Sequence, residues 1–222
     1  MSKLKSSLYT VGGSIRDLLF QKEPVDFDFL VLNGEIDYLK TKNFIVIRTN
    51  EPTKIKAKNK ETGEMLDFSF SNLSLEENLA TRDFTINSLA IELDPETLSP
   101  IDGKIIDYYG GITDAANRLL RTINSAEKTL IDDPKRIFRA IRFVADLELK
   151  LADELDRAIN NFEYTHLDKC SDTSINLEIK KILSTKNGYF ELFKYRKLCE
   201  YLFSREFKIK FRKSIKKPKM AV

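Results

Sequence analysis

The 222-residue chain is poor in the side chains that most often mark a catalytic centre: one histidine, His166, and two cysteines, Cys170 and Cys199. A lone histidine in a polar stretch argues against a histidine base, so acid–base work falls to carboxylates or metal-bound groups. The cysteines are far apart and lack metal-ligand spacing, which favours a reduced intracellular chain over a disulfide scaffold. No apolar run approaches a membrane span, and Met1-Ser2-Lys3 leads into no apolar leader segment. The expectation is a cytoplasmic protein with no membrane partner. No internal repeat or low-complexity linker is visible. The net charge of +3 is too small to establish a nucleic-acid partner, so the distribution of charge has to decide. This length can bury one good core, or one domain with a small second one.

What is present begins with Val11-Gly12-Gly13-Ser14-Ile15-Arg16-Asp17, running on to Val25-Asp26-Phe27-Asp28-Phe29-Leu30-Val31. The glycine pair opens a short helix with Arg16 in its first turn. Gly12 and Gly13 let a backbone approach a phosphate closely, and a helix N-terminus attracts anions. The second half alternates: Val25, Phe27, Phe29 and Val31 take one face of a strand, and Asp26, Asp28, Leu30 and Leu32 the other. Two carboxylates on one face repel unless one is protonated or a cation sits between them. Hard oxygen ligands with few other protein ligands suit Mg²⁺, which usually keeps waters and substrate phosphates. Asp67, in Met65-Leu66-Asp67-Phe68-Ser69, is either a third carboxylate or a polar residue on the exposed face of an edge strand.

The first half reads as alternating short elements. Strands are expected at 8–11, 27–32, 44–48, 54–60, 64–70, 90–93 and 104–108; helices at 14–20, 35–41, 75–81 and 84–89, with another starting at Gly110-Gly111. From Asp132 onward the pattern is helical alone: one helix with Asp133 as N-cap and Pro134 in its first turn, then 152–164, 175–183 and 189–203. The fold class is α+β, with a mixed-sheet head at 1–127, a helical neck at 128–204 and a basic tail at 205–222. The tail could hold RNA phosphates electrostatically or be a solvated end.

Within the neck, Asp133, Arg136, Arg139 and Arg142 recur every third residue, a winding polar ridge on one helix. A carboxylate only accepts hydrogen bonds and a guanidinium only donates them. Cytosine and adenine each offer an amino donor beside a ring acceptor; guanine and uracil present the opposite order. An Asp/Arg pair three apart could therefore accept C and A and reject G and U. Two mismatched contacts at about 1–3 kcal/mol each would give roughly a hundredfold discrimination or more.

Three blocks in this order resemble the nucleotidyltransferase superfamily, in the branch of class II CCA-adding enzymes and bacterial poly(A) polymerases. They are Gly12-Gly13-x-x-Arg16 with Asp26-x-Asp28, then Arg82-Asp83-Phe84-Thr85-Ile86-Asn87-Ser88, then Asp132-Asp133-Pro134-Lys135-Arg136 continuing to Phe143. The resemblance implies that Asp26 and Asp28 hold metal, with Asp67 often joining them. It implies that Arg82 contacts the incoming nucleotide and, with Asp83, selects ribose. Asp133 and Arg136 would read the base, and Arg139 and Arg142 would hold the triphosphate. Thr81 replaces a usual arginine, Ser88 a usual alanine and Asp132 a usual glutamate. Gly110-Gly111-Ile112-x-Asp114 and Arg118-Leu119-Leu120-Arg121 resemble the segment joining head and neck, with a structural role. Asn176 to Leu183 weakly resembles the next neck helix and reads equally well as a plain amphipathic helix.

The stretch between Asp28 and Arg82 is short, and CC-adding members of the family lack a loop needed for the final A. The chain also ends soon after the neck, where full-length relatives continue into domains that grip tRNA. The function implied is addition of C, A or both to tRNA or other RNA 3′ ends from CTP and ATP, with Mg²⁺. A poly(A) polymerase remains the nearest alternative. A reduced nucleotide- or RNA-binding module, working as a homo-oligomer or with a partner chain, is the alternative from a different class.

Overall fold

A computed structural model describes residues 6–24, 26–40, 42, 44–47 and 53–204. In chain order these form β1 (Ser7–Val11), α1 (Gly13–Leu19), β2 (Asp28–Leu32), α2 (Ile36–Lys40), β3 (Phe44–Ile47), β4 (Lys54–Asn59) and β5 (Met65–Ser71). Then come α3 (Leu75–Ala80), a 3-10 turn at Thr85–Asn87, β6 (Leu89–Leu93), β7 (Ile106–Asp107), α4 (Gly111–Ala116) and β8 (Leu119–Leu120). The rest is α5 (Ala126–Asp132), α6 (Arg136–Leu147), β9 (Lys150–Leu151), α7 (Asp153–Asn160), a 3-10 turn at Tyr164–Lys169, α8 (Asp172–Leu183), α9 (Gly188–Phe193) and α10 (Arg196–Ser204). Among the described residues no helix is long and apolar enough to cross a membrane.

Seven strands make one mixed sheet in the order β3-β4-β5-β2-β1-β6-β7, with β2 and β5 parallel and the other pairs antiparallel. The alternation expected of β2 holds along its paired length. Phe29 and Val31 join the cluster with Leu8, Ile15, Leu39 and Phe68, whereas Leu30 and Leu32 join Val11, Leu75, Leu79 and Ala90. The sheet is therefore covered on both faces, by α1 and α2 on one and by α3 on the other. Burying side chains of this size contributes about 1.5–3 kcal/mol each, so a register slip, which exchanges the faces, is strongly opposed. Ser74 starts α3 with a capping box: its hydroxyl accepts from Glu77 N, and the Glu77 carboxylate accepts from Ser74 N.

The third apolar cluster lies among the helices. Ile137, Phe138, Ala140, Ile141 and Phe143 of α6 pack with Leu155 and Ile159 of α7 and with Ile175, Ile179 and Ile182 of α8. It also takes in Phe84, Ile86 and Leu120, which precede residue 127.

Several expectations need correcting. Alternation puts Asp26 and Asp28 on one face of a strand expected at 27–32, but β2 begins at Asp28 and Asp26 lies before it, bordering a different cavity. The neighbouring strand β1 ends at Val11, opposite Asp28, because Gly12 turns the chain at φ +78° into α1. Asp26 and Phe27 have no paired residue there. The helix expected at 84–89 is a 3-10 turn followed by β6. The region after Asp132 is not purely helical: Lys150-Leu151 pairs in parallel with Leu119-Leu120. The expected helix over 189–203 is two helices. Tyr195 N bonds Leu192 O in a tighter turn, and the Tyr195 hydroxyl reaches Asp156 at 3.4 Å, pulling the ring against the helical core. Helix α5 was not anticipated. The basic tail, Val25, Thr41 and Arg48 lie outside the described residues.

Candidate active site

The chain folds its three motif blocks around one cavity of about 540 Å³. Gly13 and Arg16 come from the start of α1, and Asp28 from the first position of β2. Arg82, Asp83 and Asn87 come from the loop and turn after α3. Arg136, Arg139 and Arg142 come from α6, with Asp133 just before it. Of the residues expected from sequence, Arg16, Gly13, Asp28, Arg82, Asp83, Asp133, Arg136, Arg139 and Arg142 all border this cavity; Gly12, Asp26 and Asp67 do not. Gly12 lies just behind it: a Cβ there would come within 2.6 Å of Arg82 Nη1, at a φ that disfavours any side chain.

Asp83 organises the centre. It is 6% exposed, and its carboxylate accepts from Arg139 Nε at 2.6 Å, Asn87 Nδ2 at 2.9 Å and Phe84 N at 2.9 Å. Burial alone would push this carboxyl up. The Arg139 charge and these hydrogen bonds outweigh it and hold Asp83 below the ordinary carboxylate range. Asn87 passes the chain of contacts onward, its Oδ1 accepting from Arg16 Nη1 at 2.8 Å. The head-side arginine Arg16 and the α6 arginine Arg139 are thus joined through two polar side chains from the second motif. That motif is itself pinned from behind. Thr85 donates to the buried Asp114 at 2.6 Å, Arg121 pairs with Asp114 at 2.9 Å, and Gly111 lies where a Cβ would sit 2.3 Å from Thr85 O.

Two arginine donors in the cavity wall are buried without a hydrogen-bond acceptor: Arg82 Nε and Arg142 Nε. The buried Glu178 Oε2 also lacks a donor and stands 3.6 Å from Arg142 Nε. Buried unmet donors are costly, so a wall that keeps them suits a ligand rich in acceptor oxygens. Burial lowers the Arg142 guanidinium, with Glu178 opposing and the nearby Arg139 and Arg16 charges adding to the effect.

The carboxylates occupy the sheet end of the cavity. Asp28 and Asp67 are register partners on the parallel pair β2 and β5. Burial pushes the Asp28 carboxyl above its ordinary value; Arg82 opposes this, and the charges of Asp67 and Asp26 add to it. Asp28 is thus within electrostatic reach of both other acids. Asp67 also lies 3.6 Å from Lys56 Nζ and borders, with Asp28 and Arg82, a second cavity beside the first. Asp26 borders a third cavity with Thr10, Ser14 and Phe29, on the Phe29 side of the sheet. Among the described residues no group of three or more His, Cys, Asp or Glu is gathered as a ready metal cage. Two neighbouring acids with one disfavoured charge fit a hard cation that draws its remaining ligands from water and phosphate.

At the opposite end, Asp133 and Pro134 do not start α6 as expected: the helix begins at Arg136 without a side-chain cap, and Asp133 lies in the turn before it, its Oδ1 accepting from Lys135 N at 3.2 Å. Arg136 donates to Thr129 O at 3.3 Å and to Thr81 O at 3.1 Å, which fixes its guanidinium at the cavity wall that Asp133 also borders. Sequence reasoning missed Lys135, Phe143, Ser174, Leu177 and Glu178 as wall residues and gave Asn87 no role. The polar residues at 174 and 178 within an otherwise apolar-periodic helix were the available signal for α8.

A mixed sheet bearing acids at one strand end faces an arginine-lined helix across a cleft, an arrangement suited to a polyanionic ligand and a hard cation. Residues 40–121 match the poly(A) polymerase head domain family. A multifunctional CCA protein of Pasteurella multocida (strain Pm70) is 35% identical over 153 residues, covering 62% of this chain and 34% of that protein. The fold superposes on the Thermotoga maritima CCA-adding enzyme complexed with tRNA, with a TM-score of 0.78, 26% identity and coverage of 90% of this chain and 49% of that one. It also superposes on the Bacillus stearothermophilus CCA-adding enzyme in complex with CTP, with a TM-score of 0.71, 28% identity and coverage of 84% and 47%. In sequence and fold the chain is similar to poly(A) polymerase head domains and CCA-adding enzymes. It spans between 34% and 56% of the length of the first curated relatives it matches.

Proposed function

We propose that the chain is a template-independent RNA nucleotidyltransferase that adds C, A or both to tRNA 3′ ends, taking CTP and ATP as donors and acting in the cytoplasm. The observation that carries this reading is a single cavity bordered at one end by Asp28 and at the other by Asp133 and Arg136, with arginines along the wall between them. The relatives solved with tRNA and with CTP support the same substrates. We read residues 1–127 as the head, 128–204 as the neck and 205–222 as a basic tail able to meet RNA phosphates.

In this reading Asp133 and Arg136 present an acceptor and a donor to the base edge. Arg16, Arg82, Arg139 and Arg142 take the triphosphate, and Gly13 leaves room for it beside the start of α1. Asp83 selects ribose with Arg82 and keeps Arg139 aimed at the ligand. Asp28, with Asp67 across from it and Asp26 two residues before it, would hold Mg²⁺. When bound, the ion would favour the ionised 3′-hydroxyl and neutralise charge on the departing pyrophosphate. The 3′ oxygen attacks the α-phosphorus in line, the bond from that phosphorus to the bridging oxygen breaks, and pyrophosphate leaves with the electron pair.

The test is incubation with a tRNA lacking its 3′ end and each labelled triphosphate in turn. Incorporation of C, then A, is the expected result. Long A tracts would instead identify a poly(A) polymerase, and no incorporation would leave a binding module.

A further inference from the structure

Among the described residues Phe143 is the one aromatic ring in the cavity wall, and three guanidiniums crowd it. Arg142 lies over it at 4.5 Å from the ring centroid, Arg16 at 4.7 Å and Arg139 at 5.6 Å. The ring itself is fixed in the helical core: it is 1% exposed and packs edge-on against Phe84 at 5.8 Å and 88°. These cations do not tolerate one another freely, since the charges of Arg139 and Arg16 both disfavour charge on Arg142. Their acid partners do not resolve this evenly. Arg16 pairs with Asp17 and Arg139 with Asp83, while Arg142 Nε stays unbonded 3.6 Å from Glu178.

We propose that Phe143 is a positioning residue for the triphosphate. The electron-rich ring holds three like-charged guanidiniums together before the nucleotide arrives, so that the polyanion meets a preformed cationic wall. The ring quadrupole attracts each cation, and the Phe143 ring itself is closed off from water at 1% exposure. An aliphatic side chain would fill the same core space without gathering the charges. The gain is greatest for the most highly charged ligand, because binding a polyanion otherwise requires ordering three long, mutually repelling side chains. This inference rests on the reading of the cavity as a nucleoside triphosphate site.

The experiment measures CTP and CMP binding by calorimetry on the full chain, for the wild type and Phe143→Leu. The expected result is a loss of about tenfold in CTP affinity with a change of less than about twofold for CMP. Equal losses for both nucleotides would make Phe143 a packing residue and overturn the proposal. Should Phe143→Leu not fold, stepwise fluorination of the Phe143 ring weakens its quadrupole at nearly constant shape. CTP affinity should then fall with each added fluorine while the melting temperature holds; a flat series would also overturn it. A wild-type chain that binds neither nucleotide would instead retire the triphosphate reading of the cavity, and the proposal with it.

Discussion

Replacing Asp83 by asparagine isolates the charge at the centre of the site. The amide keeps the shape of the carboxylate, and its oxygen can still accept from Phe84 N and Asn87 Nδ2. Its NH₂ group then faces Arg139 Nε, a donor against a donor across what is a 2.6 Å bond. Removing one partner of a buried ion pair costs about 3–5 kcal/mol; with the Arg139 side chain 35% exposed, water recovers part of that, and about 2–3 kcal/mol is expected. At a slope of about 2 kcal/mol per molar urea, Asp83→Asn should lower the unfolding midpoint by roughly 1–1.5 M. The chain has no tryptophan, so far-UV circular dichroism is the appropriate readout. The pH dependence supplies an independent check. The folded-state pKa of Asp83 is depressed, so its contribution is complete above the unfolded value of about 3.9 and is lost as pH falls through the folded value. The gap between wild type and Asp83→Asn should be constant from pH 5 to 8 and close only below about pH 4. A midpoint unchanged at pH 7, or a gap that persists undiminished down to pH 3, would refute the assignment of Asp83 as a buried, paired carboxylate.

Asp28→Asn should abolish nucleotide incorporation while slightly raising the melting temperature of the unliganded chain. Asp28 is held above its ordinary pKa, so its charge opposes folding. The gain should be absent below about pH 3.9 and grow as pH rises through the folded value, readable in a pH series of thermal melts. Asp133→Ala and Arg136→Ala should each erode the preference for C and A over G and U, and the double variant should lose up to about a hundredfold in relative kcat/KM. Gly111→Ala should destabilise the fold by several kcal/mol, because its Cβ would meet Thr85 O at 2.3 Å, backbone that cannot yield cheaply. An unchanged melting temperature would show that α4 can shift outward at little cost.

Much of the site was legible in the sequence because its chemistry is local. Arg136, Arg139 and Arg142 share one helix at a spacing of three, with Asp133 in the turn just before it, and a helix of known pitch turns that spacing into geometry. The alternation of Phe29, Leu30, Val31 and Leu32 likewise assigned the two sheet faces correctly. The misreadings arose where partners distant in sequence decide. Alternation continued on paper through Asp26, but β1 stops at Val11, and a strand extends only while a neighbour pairs with it. The break between α9 and α10 carries no glycine or proline at 194–195; it follows from Tyr195 packing on residues of α7. Glu178 joins the cavity from α8, and only tertiary packing brings it to Arg142.

The helical apolar cluster draws Phe84, Ile86 and Leu120 from the sheet-bearing half into the same interior as Ile137 and Ile175. A chain cut at residue 127 would leave those three side chains facing water on one fragment and their sockets empty on the other. Recombination between homologues at that point would therefore have to exchange both linings together, so the sheet end and the arginine-bearing helix end of the cavity are inherited as a single package.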